Sequence, residues 1–298
     1  MNTPTRIEGK LSDSYKLVNQ PIHDYHCDLL VQSCRLLKAA LISPAHYEQQ
    51  FTEPPKTSKQ MDMGSLLHTL VLEPSQLPFQ YAIFPGERDG RDKDFKQFVQ
   101  ASGDRVVIDE LELHEARMLA ERVLHRRIRL AAGDSGREFG AYLAESEREV
   151  SVYYTDPGTG LPCRVRFDVL HPDIIFDLKK SADVTRSGWL RSALGFHYDM
   201  QAYMYCLAES LFNDRSRPLP FVFVAGELAR PYSVSVFQAG GSFLKEGAAK
   251  YQRAISAVAA CRATEVWPDQ GEDAILELDP WMVSSDPGWR GQLERTVQ

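Results

Sequence analysis

The chain has no run of about 18 apolar residues, so no segment reads as a membrane span. Its start, MNTPTRIEGK, lacks an apolar core, so no secretory signal is expected. Cysteine is sparse. Cys27, Cys34, Cys163, Cys206 and Cys261 are scattered and odd in number, which reads as reduced thiols in a cytoplasmic compartment. No C-x₂-C pair is present, so no iron–sulfur cluster is expected. There is no G-x-x-x-x-G-K-[ST] phosphate loop, G-x-S-x-G elbow or H-E-x-x-H helix. Those absences argue against an ATPase, a serine hydrolase and a zinc protease. Positive charge is also short, with 34 Lys and Arg against 41 Asp and Glu, a net −7. Any nucleic-acid role must therefore rest on a local basic patch or on metal ions bridging to phosphate. Apolar residues make up 43% of the 298, enough for a real core.

The chemistry concentrates between residues 149 and 179. Arg164, Arg166 and Asp168 alternate with Val165, Phe167 and Val169, the period of a strand with one buried face. His171-Pro172-Asp173 is a turn signal. Residues 174–179 form a second short strand, rich in β-branched and aromatic residues, in which Asp177 and Lys179 share a face. Two neighbouring strands thus each carry a carboxylate, with a lysine one pleat further on. Such a pair can hold a hard divalent cation, and the ammonium group can steady an attacking water or a phosphate oxygen. The same residues would also make a solvated ion-pair cluster. Upstream, Glu149, Ser151 and Tyr153 alternate with Val150, Val152 and Tyr154, and DPGTG (156–160) is a hairpin loop. Glu149 and Asp168 are therefore expected on paired antiparallel strands of unknown register. Glu145 and Glu147 compete for the role of Glu149. His68 borders the apolar stripe Leu66, Leu67, Leu70 and Val71 of a helix over 61–73. Gln201 and Tyr205 lie four apart in a helix over 198–211, on one face.

Strand, Asp, turn and D-x-K in this order resemble the PD-(D/E)xK nuclease superfamily. The likeness extends to the RecE (exonuclease VIII) type of phage recombination exonuclease. It is carried by GSLLH (64–68), Glu149 in EVSVYY, CRVRFD (163–168), FDLKKSAD (176–183) and HYDMQAYMY (197–205), from about residue 25 to about residue 268. The resemblance implies an α/β (α+β) fold: a PD-(D/E)xK core with a central mixed β-sheet flanked by helices and an N-terminal helical elaboration. It implies Mg²⁺, with Mn²⁺ as a substitute, held by His68, Asp168, Asp177 and the Leu178 carbonyl. Glu149 would bind a second metal or orient its water, and Lys179 would position or deprotonate the attacking water. Gln201 and Tyr205 would line the site, with Gln201 near the phosphate backbone. Arg164 and Arg166, on the Asp168 face, would contact phosphates or pair with the local carboxylates. The implied activity is 5′-to-3′ digestion of linear double-stranded DNA, leaving 3′ overhangs, by a ring-like homotetramer working with a single-strand annealing protein. An endonuclease, a single-strand-specific nuclease or a non-catalytic DNA binder are the rival readings. One departure is Lys180, where the family usually has Thr.

The remaining chain reads as support. Residues 1–24 look like a loose arm, 25–270 like one nuclease domain and 271–298 like a tail. Helices are expected over 27–40, ended by Ser43-Pro44, and over 109–130. Residues 53–59 look like a connector. The charged stretch 88–96 looks like a mobile loop that would also suit a DNA contact. The basic run His125 to Arg129 reads as an exposed helix face. Strands over 221–225 and 232–237 and a helix over 242–262 complete the pattern.

Overall fold

A computed structural model describes residues 4–11, 14–52, 59–130, 135–269 and 271. The expected connector and tail lie almost wholly outside these residues. The N-terminal stretch is not a loose arm. β1 (Thr5–Glu8) and β2 (Tyr15–Val18) form an antiparallel hairpin, and β2 pairs with the strand that carries Glu149. Tyr15 stacks on Tyr153 at 4.8 Å, and Lys16 Nζ lies 2.6 Å from Glu147 Oε1. An outer strand with unpaired N–H and C=O groups gains by recruiting such a cover. Two four-residue strands carry too little periodicity to be seen in sequence.

The helix expected over 27–40 is broken. α1 (Ile22–Cys27) stops, and α2 (Cys34–Ile42) starts at Ser33, whose hydroxyl accepts from the Leu36 N–H. Between them Gln32 bridges to Cys163, giving the sheet an extra contact at that end. Ser43 closes α2 and caps α3 (Pro44–Gln49), with Pro44 at the first helical position. α4 (Lys59–Leu72) carries His68.

Of the stretch 88–96 expected as a loop, residues 88–92 lie between elements and residues 93–96 open a helix. After α5 (Leu77–Gln80) come β3 (Tyr81–Phe84), α6 (Lys93–Ala101) and β4 (Val106–Asp109), with β3 and β4 parallel. Asp92 caps α6, and Phe95 and Phe98 pack edge-on against Phe84 at 5.2 and 5.3 Å. α7 (Glu110–Leu124) opens on a full capping box of Asp109 and Glu112. It ends earlier than expected, because residues 127–128 pair as β5 (Arg127–Ile128) with β6 (Arg137–Glu138) ahead of α8 (Phe139–Ala144).

The main sheet and its helices follow: β7 (Glu147–Thr155), β8 (Pro162–His171), β9 (Ile174–Ser181), α9 (Arg186–Gly195), α10 (Tyr198–Asn213), β10 (Phe221–Glu227), β11 (Val234–Gln238) and α11 (Gly241–Thr264). The seven strands run in the order β1-β2-β7-β8-β9-β10-β11. Only β9 and β10 are parallel neighbours in it, and α9 and α10 form the crossover that such a pair requires. The sheet is buried on both sides. α2, α9, α10 and α11 cover one face, on Val165, Phe167, Phe221 and Phe223. α4, α7 and α8 cover the other, on Val169, Phe176, Leu178 and Val224. Phe167 and Val169, two residues apart, therefore enter opposite cores. The expected strict alternation of β8 breaks at Asp168.

Candidate metal centre

The break has a partner on the next strand. Arg148 pairs with Val169 and Val150 with Phe167, so Glu149 stands opposite Asp168. Glu149 has φ +53°, the left-handed region that a non-glycine residue rarely enters. Strain of this kind costs of order 1–3 kcal/mol and clusters at functional sites. On the other side Val169 pairs with Phe176, which sets Asp168 level with Asp177. The β8–β9 backbone pairing stops there, and the Asp168 carboxylate takes the place of the next backbone acceptor. Its Oδ2 accepts from the Leu178 N–H at 2.8 Å.

α4 delivers His68 to this point. His68 Nε2 lies 2.8 Å from the Leu178 carbonyl oxygen. Its Nδ1 lies 3.8 Å from Asp168 Oδ2 and 4.0 Å from Glu149 Oε1. His68, Glu149 and Asp168 each offer one donor atom, all within 4.8 Å of one another, and all three residues are half-buried. Glu149 uses its other oxygen, Oε2, to accept from Arg166 Nε at 2.6 Å. Arg166 Nη1 also donates to the Gln20 carbonyl at 2.9 Å, which ties the N-terminal segment to the site.

Burial and charge compete here. Burial would lower His68, but Asp168 and Glu149 outweigh it and push the imidazole up to about 9. Burial, joined by Asp177 and Glu149, raises Asp168 to about 6 against the pull of His68 and Lys179. Burial also disfavours the Glu149 carboxylate, yet His68 and Arg166 hold it below the usual range. Crowded acids in one half-dry pocket form a site that a cation relieves, and the imidazole gives up its proton to ligate it.

The sequence-stated residues fall into three groups. His68, Glu149 and Asp168 come together. Asp177, expected as a ligand, lies outside this cluster and is engaged elsewhere: Gln201 Nε2 donates to Oδ1 at 2.6 Å, and Lys179 Nζ sits 2.5 Å from Oδ2. Lys179 also lies 5.2 Å from the Tyr198 ring centroid. Burial would lower Lys179, but Asp177 and Asp168 overcome it and raise its pKa. The Leu178 carbonyl, expected as a ligand, accepts from His68 and orients it.

The third group is engaged within the protein. Arg164 is 1% exposed; it donates to the Asp28 carbonyl and stacks over Tyr25 at 4.7 Å. Tyr205 is in the core, edge-on to Phe167 at 5.3 Å. Arg166 pairs with a local carboxylate, one of its two expected fates. Glu145 and Glu147 drop out as rivals of Glu149, because Arg137 and Lys16 hold them. The clamp of Gln20 and Arg166 on Glu149 had no sequence signal, since it depends on a hairpin too short to be read.

A family model matches residues 33–277. The chain belongs to the family described as the PDDEXK-like domain of unknown function (DUF3799). Among solved structures, the chain resembles a candidate exonuclease from Eubacterium rectale. Identity is 14% and the TM-score 0.58, over 88% of this chain and 96% of that one. At that identity the likeness shows a shared fold. No curated protein matches the sequence. Among the described residues, no helix is long and apolar enough to cross a membrane.

Proposed function

We propose that the protein is a divalent-metal-dependent exonuclease of RecE type, digesting linear double-stranded DNA from the 5′ end. The observation that carries the reading is the His68–Glu149–Asp168 cluster beside the Asp177–Lys179 pair. The donor set fits the metal: one imidazole and two carboxylates, close enough to share one ion, suit Mg²⁺ or Mn²⁺. Such an ion, when bound, polarises a phosphoryl oxygen and lowers the pKa of water.

The chain's own residues do the rest. The Leu178 carbonyl fixes the His68 ring, as the outer partners of metal-binding histidines do. Arg166 fixes Glu149, and the Leu178 N–H fixes Asp168. Asp177 and Gln201 hold the Lys179 ammonium at the edge of the cluster, where it offsets phosphate charge and orients the attacking water.

The test is digestion of end-labelled linear duplex and closed-circular DNA in Mg²⁺, in Mn²⁺ and in EDTA. Loss of linear DNA alone, only with metal, and from the 5′-labelled strand is the expected result. Cutting of the closed circle would replace the reading with an endonuclease. The same proposal includes a ring of four chains, which would keep a chain of net −7 on its track. A monomer in light scattering would remove the ring and leave the nuclease. The 3′ overhangs would suit a single-strand annealing protein.

A further inference from the structure

Outside the metal centre, a groove of about 920 Å³ runs between the C-terminal half of α7, β5 and the edge strand β11. One wall carries Arg122, Arg126, Arg127 and Arg129, all exposed; the other includes Val234 and Val236. The sequence reads these arginines as a solvated helix face. The structure gathers them instead along one concave surface.

Their pairing differs from that in the other groove of the protein that gathers charges. A second groove, of about 280 Å³, also mixes charges, but there Lys16 is held by Glu147, Arg215 by Glu209 and His171 by Glu145. In the arginine groove, among the described residues, Arg122, Arg126 and Arg129 have no carboxylate partner. Arg127 spends its guanidinium on the Ser135 and Gly136 carbonyls. Glu121 is the one acid on the lining, and Glu138 is taken by His125. In a chain with an excess of seven negative charges, three uncommitted guanidinium groups in one groove form a local positive field that an anionic polymer would meet.

The groove also lies where a nucleic acid on the metal centre would reach. Lys180 pairs with Gly226, and Gly226 with Val234. The groove thus begins two strands, about 10 Å, from Lys180, the neighbour of Lys179. Its floor belongs to the core layer of α4 and α7, the layer that carries His68. That separation is well under one helical turn of DNA, about 34 Å.

We infer that the groove of Arg122, Arg126 and Arg129 is a second DNA-binding site, which takes the phosphate backbone of the duplex engaged at the metal centre. Guanidinium groups pair with phosphate oxygens in a fork, without reading sequence. The inference rests on the nuclease reading for its substrate, but its test reads binding. The protein R122Q/R126Q/R129Q is compared with the wild type by fluorescence anisotropy on a labelled duplex, with Ca²⁺ in place of Mg²⁺, across a salt series. Each lost phosphate contact removes about 0.9 from the slope of log affinity against log salt, so the triple variant should be shallower by about 2.7. Between about 50 and about 200 mM salt it should lose roughly 40-fold less affinity than the wild type. An unchanged slope and affinity overturns the inference. So does a variant that loses only its retention on phosphatidylserine vesicles, which would make the groove a membrane contact. If the wild type cuts no DNA yet the slopes differ as stated, the groove stands and the nuclease reading falls.

Discussion

His68 Nε2 meets the Leu178 carbonyl oxygen at 2.8 Å, and this contact decides the state of the ring. A carbonyl only accepts, so Nε2 carries the hydrogen and Nδ1 is the atom turned towards Asp168 and Glu149. The strand backbone thus aims a helix-borne ligand. Replacing His68 by Ala should weaken Mn²⁺ binding in calorimetric titration by more than the roughly 10–100-fold that loss of a supporting contact costs. The fold should persist, because the side chain is half-buried and its loss leaves Leu66 and Leu67 in the core. Unchanged Mn²⁺ affinity would place the metal elsewhere.

The metal-free protein should reveal the same histidine through pH. With its folded pKa pushed up to about 9, against an ordinary 6.5, His68 favours the folded state because the folded protein holds the imidazole proton more tightly. That contribution is full below about pH 6.5 and fades as pH rises through about 9. It amounts to roughly 3 kcal/mol. Asp168, raised from the ordinary 3.8 to about 6, shifts stability in the same direction at lower pH: the folded protein holds its proton longer than the unfolded chain, so stability falls as pH rises to about 6. Urea unfolding in EDTA should show wild type losing stability relative to His68→Gln between those limits. An equal gap at both ends would mean that the imidazole is not charged by its acidic neighbours.

Asp177 separates two roles that the D-x-K motif leaves fused. Its oxygens are taken by Gln201 and Lys179. Asp177→Asn should therefore keep metal affinity close to wild type while cleavage falls steeply, because Lys179 loses its charge partner. Lys179→Ala should cost two or more decades of rate, the scale of a positioned acid–base or electrostatic group. Lys180→Ala should cost far less. If Asp177→Asn abolishes metal binding, Asp177 is a ligand after all; equal losses at both lysines would reduce the pair to general attraction.

How far the sequence reaches depends on the range of the contact. The strands around Asp168 and Asp177 were legible because period-two alternation and the turns at 156–160 and 171–173 are local. The helices over 198–211 and 242–262 were legible for the same reason. The order of motifs marked His68, but only tertiary packing shows which of its nitrogens faces the acids. Alternation itself misled at Val169, since the backbone switches faces beside a left-handed Glu149, and nothing in EREVS announces a positive φ. Arg164 and Arg166 look alike in sequence. One is sealed under Tyr25 and the other clamps Glu149, because an N-terminal segment that reads as loose folds over both.

Gly64 offers a test that separates stability from function. It sits in α4 one turn before His68, where a glycine costs the helix roughly 0.8–1 kcal/mol relative to alanine. A cost of that kind is usually offset by close packing, yet a Cβ built at Gly64 would meet nothing within 4 Å. Gly64 and His68 lie four residues apart, on one face of α4. Gly64→Ala should therefore raise the unfolding free energy by up to about 1 kcal/mol, seen in urea unfolding. The same change should lower kcat/KM on duplex DNA, since a methyl group would stand where the backbone of the DNA passes. A variant that is both more stable and fully active would show that the gap beside His68 is plain solvent. A variant that is less stable would show that the helix backbone at this position is not free to take a side chain.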